Sequence, residues 1–99
     1  MSYNIMTYLY FIHSPSKNKI YVGVTTHLQE RLKKHNDHAY AGAFSKIATD
    51  WELIFQKEFE DKQEALFLEK FIKKMKSRKF IEKVIQQPEI LEDILTKRK

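Results

Sequence analysis

The sequence predicts an α+β domain in which a three-stranded, mainly antiparallel sheet is packed with helices. Three observations carry this. Residues 8–23, YLYFIHSPSKNKIYVG, read as two short strands around a polar turn. Residues 51–59, WELIFQKEF, alternate apolar and polar positions as a third strand does. From Asp61 onward, apolar residues recur at helical spacing between capping residues. A chain of 99 residues is one domain, and 42% apolar residues suffice for one core of modest stability.

In the hairpin, Tyr8 to Ile12 and Ile20 to Val22 are rich in aromatic and β-branched residues, and Ser14 to Asn18 supply turn chemistry. A turn centred between Pro15 and Ser16 sets Tyr10 opposite Tyr21 and Tyr8 opposite Gly23. Opposed residues share a face. Tyr8, Tyr10 and Tyr21 then gather on one face beside Gly23, and Leu9, Phe11, Ile20 and Val22 fill the other. Taken alone, this is an aromatic hairpin in a small core.

Thr25 or Thr26 caps a helix from His27 to about Asn36, anchored by Leu28 and Leu32, with Glu30 near its positive end. Arg31 and His35 fall on one stripe beside those leucines, while Lys33 and Lys34 point outward. Asp37 to Asp50 read as a loop with a short helix. In the third strand, Trp51, Leu53, Phe55 and Phe59 are expected on one face. Asp61 caps the next helix, with Glu64 at capping-box spacing. That helix runs from Gln63 to Met75, burying Leu68, Phe71, Ile72 and Met75. Glu69 stands at the margin of that face, where it can reach into a cleft or pair with Lys73. Ser77 caps a helix to about Gln87, and Pro88 opens a last amphipathic helix with Ile90, Leu91, Ile94 and Leu95. The basic tail, Thr96 to Lys99, is expected to fray. Residues 1–87 are read as the domain and 88–99 as a helix and basic tail.

Lys and Arg number 18 against 13 acids, a net charge of +5, which suits an anionic partner. Between residues 70 and 83 stand Lys70, Lys73, Lys74, Lys76, Arg78, Lys79 and Lys83 with one acid, Glu82. Such a run is a solvated helix face or a track for a phosphate backbone. The chain has no cysteine, so it has neither disulfides nor a thiolate metal site. No apolar run approaches the roughly 20 residues of a membrane span. The N-terminus lacks a leader pattern, so a cytoplasmic location is expected.

Tyr8-Leu9-Tyr10, Tyr21-Val22-Gly23, Arg31 and His35 within LxxRLxxH, and Glu69 within EALFLEKFIKK stand in an order that resembles the GIY-YIG nuclease family, especially its small single-domain bacterial branch of endonucleases. The resemblance extends through WELIFQKEF and Lys76 to Ile81 and covers about residues 6 to 87. Tyr8 replaces the Gly of the family's first signature, as is frequent in the small branch. Many members carry an Asn after the metal-binding Glu. Here no Asn follows Asn36, which leaves Gln86 or Gln87 as the available amides.

The resemblance implies an endonuclease that hydrolyses DNA phosphodiester bonds with Mg²⁺ or Mn²⁺ and is compatible with a structure-specific role in repair or recombination; branched DNA, nicked DNA, plain duplex and RNA all stay open as substrates. It implies that Glu69 holds the metal, which as a hard cation accepts one carboxylate and keeps several waters. Tyr10 and Tyr21 correspond to the paired signature tyrosines, one of them the general base or the group that orients the water. A tyrosine near pKa ~10 needs a neighbouring cation for that task. Arg31 would bind the scissile phosphate with its planar fork, and His35 would assist proton transfer or touch phosphate. Gly23 would keep the backbone open beside the tyrosines. Lys70, Lys73, Lys74, Arg78 and Lys79 would hold the nucleic acid. A lone small domain would draw on a protein partner or a homodimer for targeting. Two other readings stand beside this one: a nucleic-acid-binding module on the same scaffold without cleavage, and an interaction protein that dimerises through Leu91 on its last helix.

Overall fold

The computed structural model describes residues 5–37 and 48–98. The loop expected at residues 37–50 therefore lies largely outside the described residues. The strands are β1 (Thr7–Ser14), β2 (Lys19–Thr25) and β3 (Glu52–Phe59). They form an antiparallel sheet in the order β2-β1-β3. The helices are α1 (Leu28–Asp37), α2 (Lys62–Met75), α3 (Arg78–Gln86) and α4 (Glu89–Lys97). This is the expected α+β architecture.

The central strand explains the unbroken apolar run of the first signature. Leu9, Tyr10, Phe11 and Ile12 are all fully buried, because both faces of β1 are covered. On one face Leu9, Phe11, Val22 and Phe59 pack against Ala65, Leu68 and Ile72 of α2, Val84 of α3, and Leu91 and Leu95 of α4. On the other, Tyr10 and Ile12 pack with Leu28, Ala48 and Trp51, and Tyr8, Tyr21, Leu32 and Leu53 close around them.

The facing pattern of the hairpin is as expected, but its register is displaced by two residues. Tyr10 pairs with Gly23, Ile12 with Tyr21 and Tyr8 with Thr25. The reason is Pro15. A two-residue hairpin turn needs a positive φ at its first central position, and proline is locked near −65°. The turn widens to Pro15–Asn18 instead, and Asn18 takes the left-handed conformation (φ 52°). Asp50 holds that turn, accepting from Ser14 Oγ at 2.6 Å and Ser16 N at 2.9 Å. A slip of two preserves every side chain's face.

In β3 the structure corrects the sequence. Phe11 pairs with Phe55 but Ile12 pairs with Leu53, so a bulge at Ile54 reverses the alternation. Trp51 and Leu53 join the tyrosine face, while Phe55 and Phe59 join the helical face. No pattern of apolar positions reveals an extra residue in one strand.

Asp61 caps α2 by accepting from Gln63 N at 2.8 Å. The carboxylate of Glu64 pairs with Arg98 at 3.8 Å rather than closing a capping box. Ala65, Leu68 and Ile72 form the buried face of α2, and Met75 is 47% exposed at its end. Ser77 caps α3 through Phe80 N at 3.1 Å, as expected. Pro88 is the N-cap of α4. Leu91 and Leu95 of α4 are buried in the domain's own core, so a dimer surface on Leu91 has no free face to use. The tail does not fray where expected: α4 runs to Lys97, and Arg98 lies over Phe67, 5.3 Å from the ring centroid.

Candidate active site

Gly23 and Tyr10 fix the floor of the site. A Cβ on Gly23 would fall 2.5 Å from Tyr10 Oη and 2.6 Å from Cζ. The glycine leaves room for the phenol to lie flat across β2, which is a stronger demand than an open backbone. Tyr10 Oη then meets His35 Nε2 of α1 at 2.9 Å, with both residues fully buried. The His35 ring is 4.8 Å from that of Tyr21, which also packs edge-on to Trp51 at 6.4 Å. Asn36 secures the approach to β3: its Oδ1 accepts from Trp51 N at 2.6 Å, and its Nδ2 donates to Trp51 O at 3.1 Å.

Burial is the main force that drives the Tyr10 hydroxyl far above its ordinary value. The charges of Tyr21 and Glu69 push the same way, and Arg31 opposes them. Burial likewise pushes the His35 imidazole down to about 4, helped by the guanidinium of Arg31. At neutral pH this is a neutral phenol bonded to a neutral imidazole. His35 is sealed from solvent, so it holds Tyr10 in place and does not touch phosphate in this geometry. Arg31 stands within electrostatic reach of both groups and lines a polar pocket of about 360 Å³ with Lys34, Lys62, Thr26 and Glu30.

The buried imidazole has a consequence for stability. The unfolded chain, with its imidazole near 6.5, takes up a proton that the folded chain refuses until about 4. The stabilisation is full above 6.5 and is lost as pH falls toward 4. Urea unfolding at a series of pH values should show about 2 kcal/mol lost from this group by pH 5. His35→Gln should lack that part of the acid-side decline, although it is less stable at neutral pH.

Glu69 and Lys73 reach this cluster from α2, around the edge of β2 that faces away from β1. Lys73 Nζ is 3.0 Å from Glu69 Oε2 and 5.4 Å from the centroid of the Tyr21 ring. The lysine thus joins the carboxylate to the outer tyrosine. The Glu69 side chain is 20% exposed. Among the described residues no group of three His, Cys, Asp or Glu side chains could hold a metal. One accessible carboxylate suits a hard cation that keeps its waters and does not suit tetrahedral zinc.

The structure therefore brings together Tyr10, Tyr21, Gly23, Arg31, His35, Glu69 and Lys73. The other basic residues do not form one track. Lys70 lines a shallow depression with Glu69. Lys74 lies about 160° around α2 from the buried Ile72, at roughly 100° per residue. Lys79 is exposed on α3. Arg78 is committed to structure: Nη1 and Nη2 donate to Asn18 O and Oδ1 at 3.0 and 2.9 Å, and Nε donates to Glu82 at 3.4 Å. Gln86 and Gln87 are exposed at the far end of α3, away from the Ser77 end.

A model of the GIY-YIG catalytic domain matches residues 6–83. The chain belongs to the GIY-YIG family. That family is one of nucleases that act on DNA. A UPF0213 protein of Bacillus subtilis (strain 168), YazA, is 33% identical to it over 72 residues, which is 73% of this chain and 72% of the relative. The solution NMR structure of the UPF0213 protein BH0048 from Bacillus halodurans superposes with a TM-score of 0.53 at 25% identity, covering 82% of this chain and 83% of the other. The matched GIY-YIG region spans β1 to α3, the elements that carry every residue of the cluster. No helix among the described residues is long and apolar enough to cross a membrane.

Proposed function

We propose that this chain is a metal-dependent endonuclease that hydrolyses DNA phosphodiester bonds, with branched or nicked DNA as substrate and repair or recombination as its setting. The observation that carries this reading is the meeting of Glu69 and Lys73 with Tyr21 at the edge of β2, in front of the buried Tyr10–His35 pair. Glu69 would hold Mg²⁺ or Mn²⁺, which when bound supplies charge neutralisation for the phosphate and its leaving oxygen. Tyr21, half-buried and open to the cleft, orients the attacking water. Arg31 binds the scissile phosphate through its planar fork. Tyr10 and His35 stay uncharged and hold the Tyr21 side of the site in shape. A protein partner or a second copy would add targeting.

Labelled duplex, nicked, flap, splayed-arm and four-way-junction DNAs, incubated with Mg²⁺, Mn²⁺ or EDTA, test the proposal. Metal-dependent products, with branched or nicked DNA cut faster than duplex, are expected. The ion pair between Lys73 and Glu69, together with the lack of a side-chain amide from Gln86 or Gln87 at the site, favours a second reading as a binding module without cleavage. Salt-sensitive binding without products in either metal would establish that reading instead.

A further inference from the structure

Beside the cluster lies a groove of about 700 Å³ that the catalytic roles leave unused. It runs along the edge of β2 that faces away from β1 and ends against the C-terminus of α2 and the N-terminus of α3. Ile20, Ile72 and Ile81 form an apolar floor, and Lys19, Lys73 and Lys76 stand around it. Tyr21 lies at its inner end, so the groove is continuous with the candidate active site. We propose that this groove binds one unpaired nucleotide of the substrate strand next to the cleaved phosphate, with the base on the isoleucine floor and the flanking phosphates on Lys19 and Lys76. The proposal rests on the nuclease reading for the position of the cleaved bond.

Size, charge and shape agree. The volume lies in the range that holds a small organic ligand. Every charged side chain that lines the groove is cationic. The first turn of α3 has no acid and begins instead with Arg78 and Lys79, adding side-chain charge to the positive end of the helix. Helices normally place acids there; here one acid, Glu82, a turn further on, pairs with Arg78 Nε at 3.4 Å. Two residues at the mouth, Asn18 and Lys76, are the non-glycine positions with left-handed backbone among the described residues (φ 52° and 49°). Arg78 ties Asn18 to α3, which fixes the mouth's width. A paired base keeps its face stacked in the duplex, and only an unpaired one can lay that face on an apolar floor. An added peptide strand would also fit an outer sheet edge, but the charged side chains that line the groove are Lys19, Lys73, Lys76 and Arg78, and with only Lys73 and Arg78 paired to acids among the described residues (Glu69 and Glu82) the net positive rim selects a polyanion.

The test is fluorescence anisotropy in EDTA, so that binding is read without cleavage. The probes are labelled hexathymidylate and an abasic strand with the same number of phosphates. Hexathymidylate should bind roughly fivefold or more tightly than the abasic strand. Lys76→Glu and Lys19→Glu should each weaken hexathymidylate binding by roughly fivefold and lower the salt slope by about 0.7. Lys74→Glu makes the same charge change on the opposite side of α2 and should have a much smaller effect. All three sites are exposed, so the variants should melt like the parent. Equal binding of the abasic strand, equal losses in Lys74→Glu and Lys76→Glu, or displacement of the probe by hexaglutamate as readily as by unlabelled strand would each overturn the groove proposal. Cleavage of the DNA panel is scored separately. Absent cleavage with the groove results intact overturns only the nuclease reading, whereas cleavage with the groove results absent overturns only the groove.

Discussion

Replacing Glu69 with alanine is expected to lower the metal-dependent cleavage rate by at least ~10³-fold, because several kcal/mol of transition-state stabilisation by the metal are lost at about 1.4 kcal/mol per tenfold. DNA affinity in EDTA should stay the same or rise. The carboxylate is a negative charge beside the phosphate path, and its removal frees Lys73, which it now holds at 3.0 Å. The same pairing means that a divalent cation must displace an ammonium to reach Glu69, so cleavage should require more metal at high Lys73 occupancy of the carboxylate. Glu69 is at the margin of the core and 20% exposed, so its loss should leave the melting temperature near that of the parent. Single-turnover cleavage on the best substrate of the panel, run beside anisotropy in EDTA, separates the two effects. A Glu69→Ala protein that cuts at the parental rate would remove Glu69 from the reaction.

What could be read from the sequence follows from how local each signal is. The two faces of the hairpin follow from strand periodicity alone, and they place Tyr10, Tyr21 and Gly23 together even though the register was displaced by two. The helix caps at Asp61 and Ser77 are local hydrogen bonds and were legible for the same reason. The bulge at Ile54 was not legible, because it is decided by pairing with β1 rather than by the composition of β3. Lys73 shows the limit most clearly. Its i, i+4 pairing with Glu69 is visible in the sequence, as is its place in the basic run between residues 70 and 83. Its position over Tyr21 depends on α2 packing beside the edge strand β2, a contact between residues more than fifty positions apart. Arg78 shows a different limit. In the sequence it reads as part of a basic track; the turn that Pro15 forces open also brings Asn18 to it, which takes a hydrogen bond from each of its two terminal nitrogens. The Asn36 clamp on Trp51 had no local signal at all.

The two signature tyrosines should separate under substitution by phenylalanine. Tyr21→Phe is expected to slow cleavage by about 10²-fold or more, the scale of a positioned proton-transfer group, with little change in stability. Its ring contacts with His35 and Trp51 survive the loss of a hydroxyl. Tyr10→Phe removes a buried hydrogen bond to the His35 imidazole, and taking one partner from a buried polar pair costs about 1–3 kcal/mol. That variant should unfold at lower urea and retain more activity than Tyr21→Phe when assayed well below its melting point. The asymmetry follows from burial. Tyr10 has no exposed surface, and its hydroxyl is driven far from the neutral range, where a general base works best. Tyr21 opens on the cleft and has the ammonium of Lys73 over its ring. Chemical denaturation and single-turnover rates on the same preparations decide the matter. Loss of activity in Tyr10→Phe with unchanged stability, beside an active Tyr21→Phe, would exchange the two roles and make the buried Tyr10 the group that meets the water, after a movement of α1 that uncovers it.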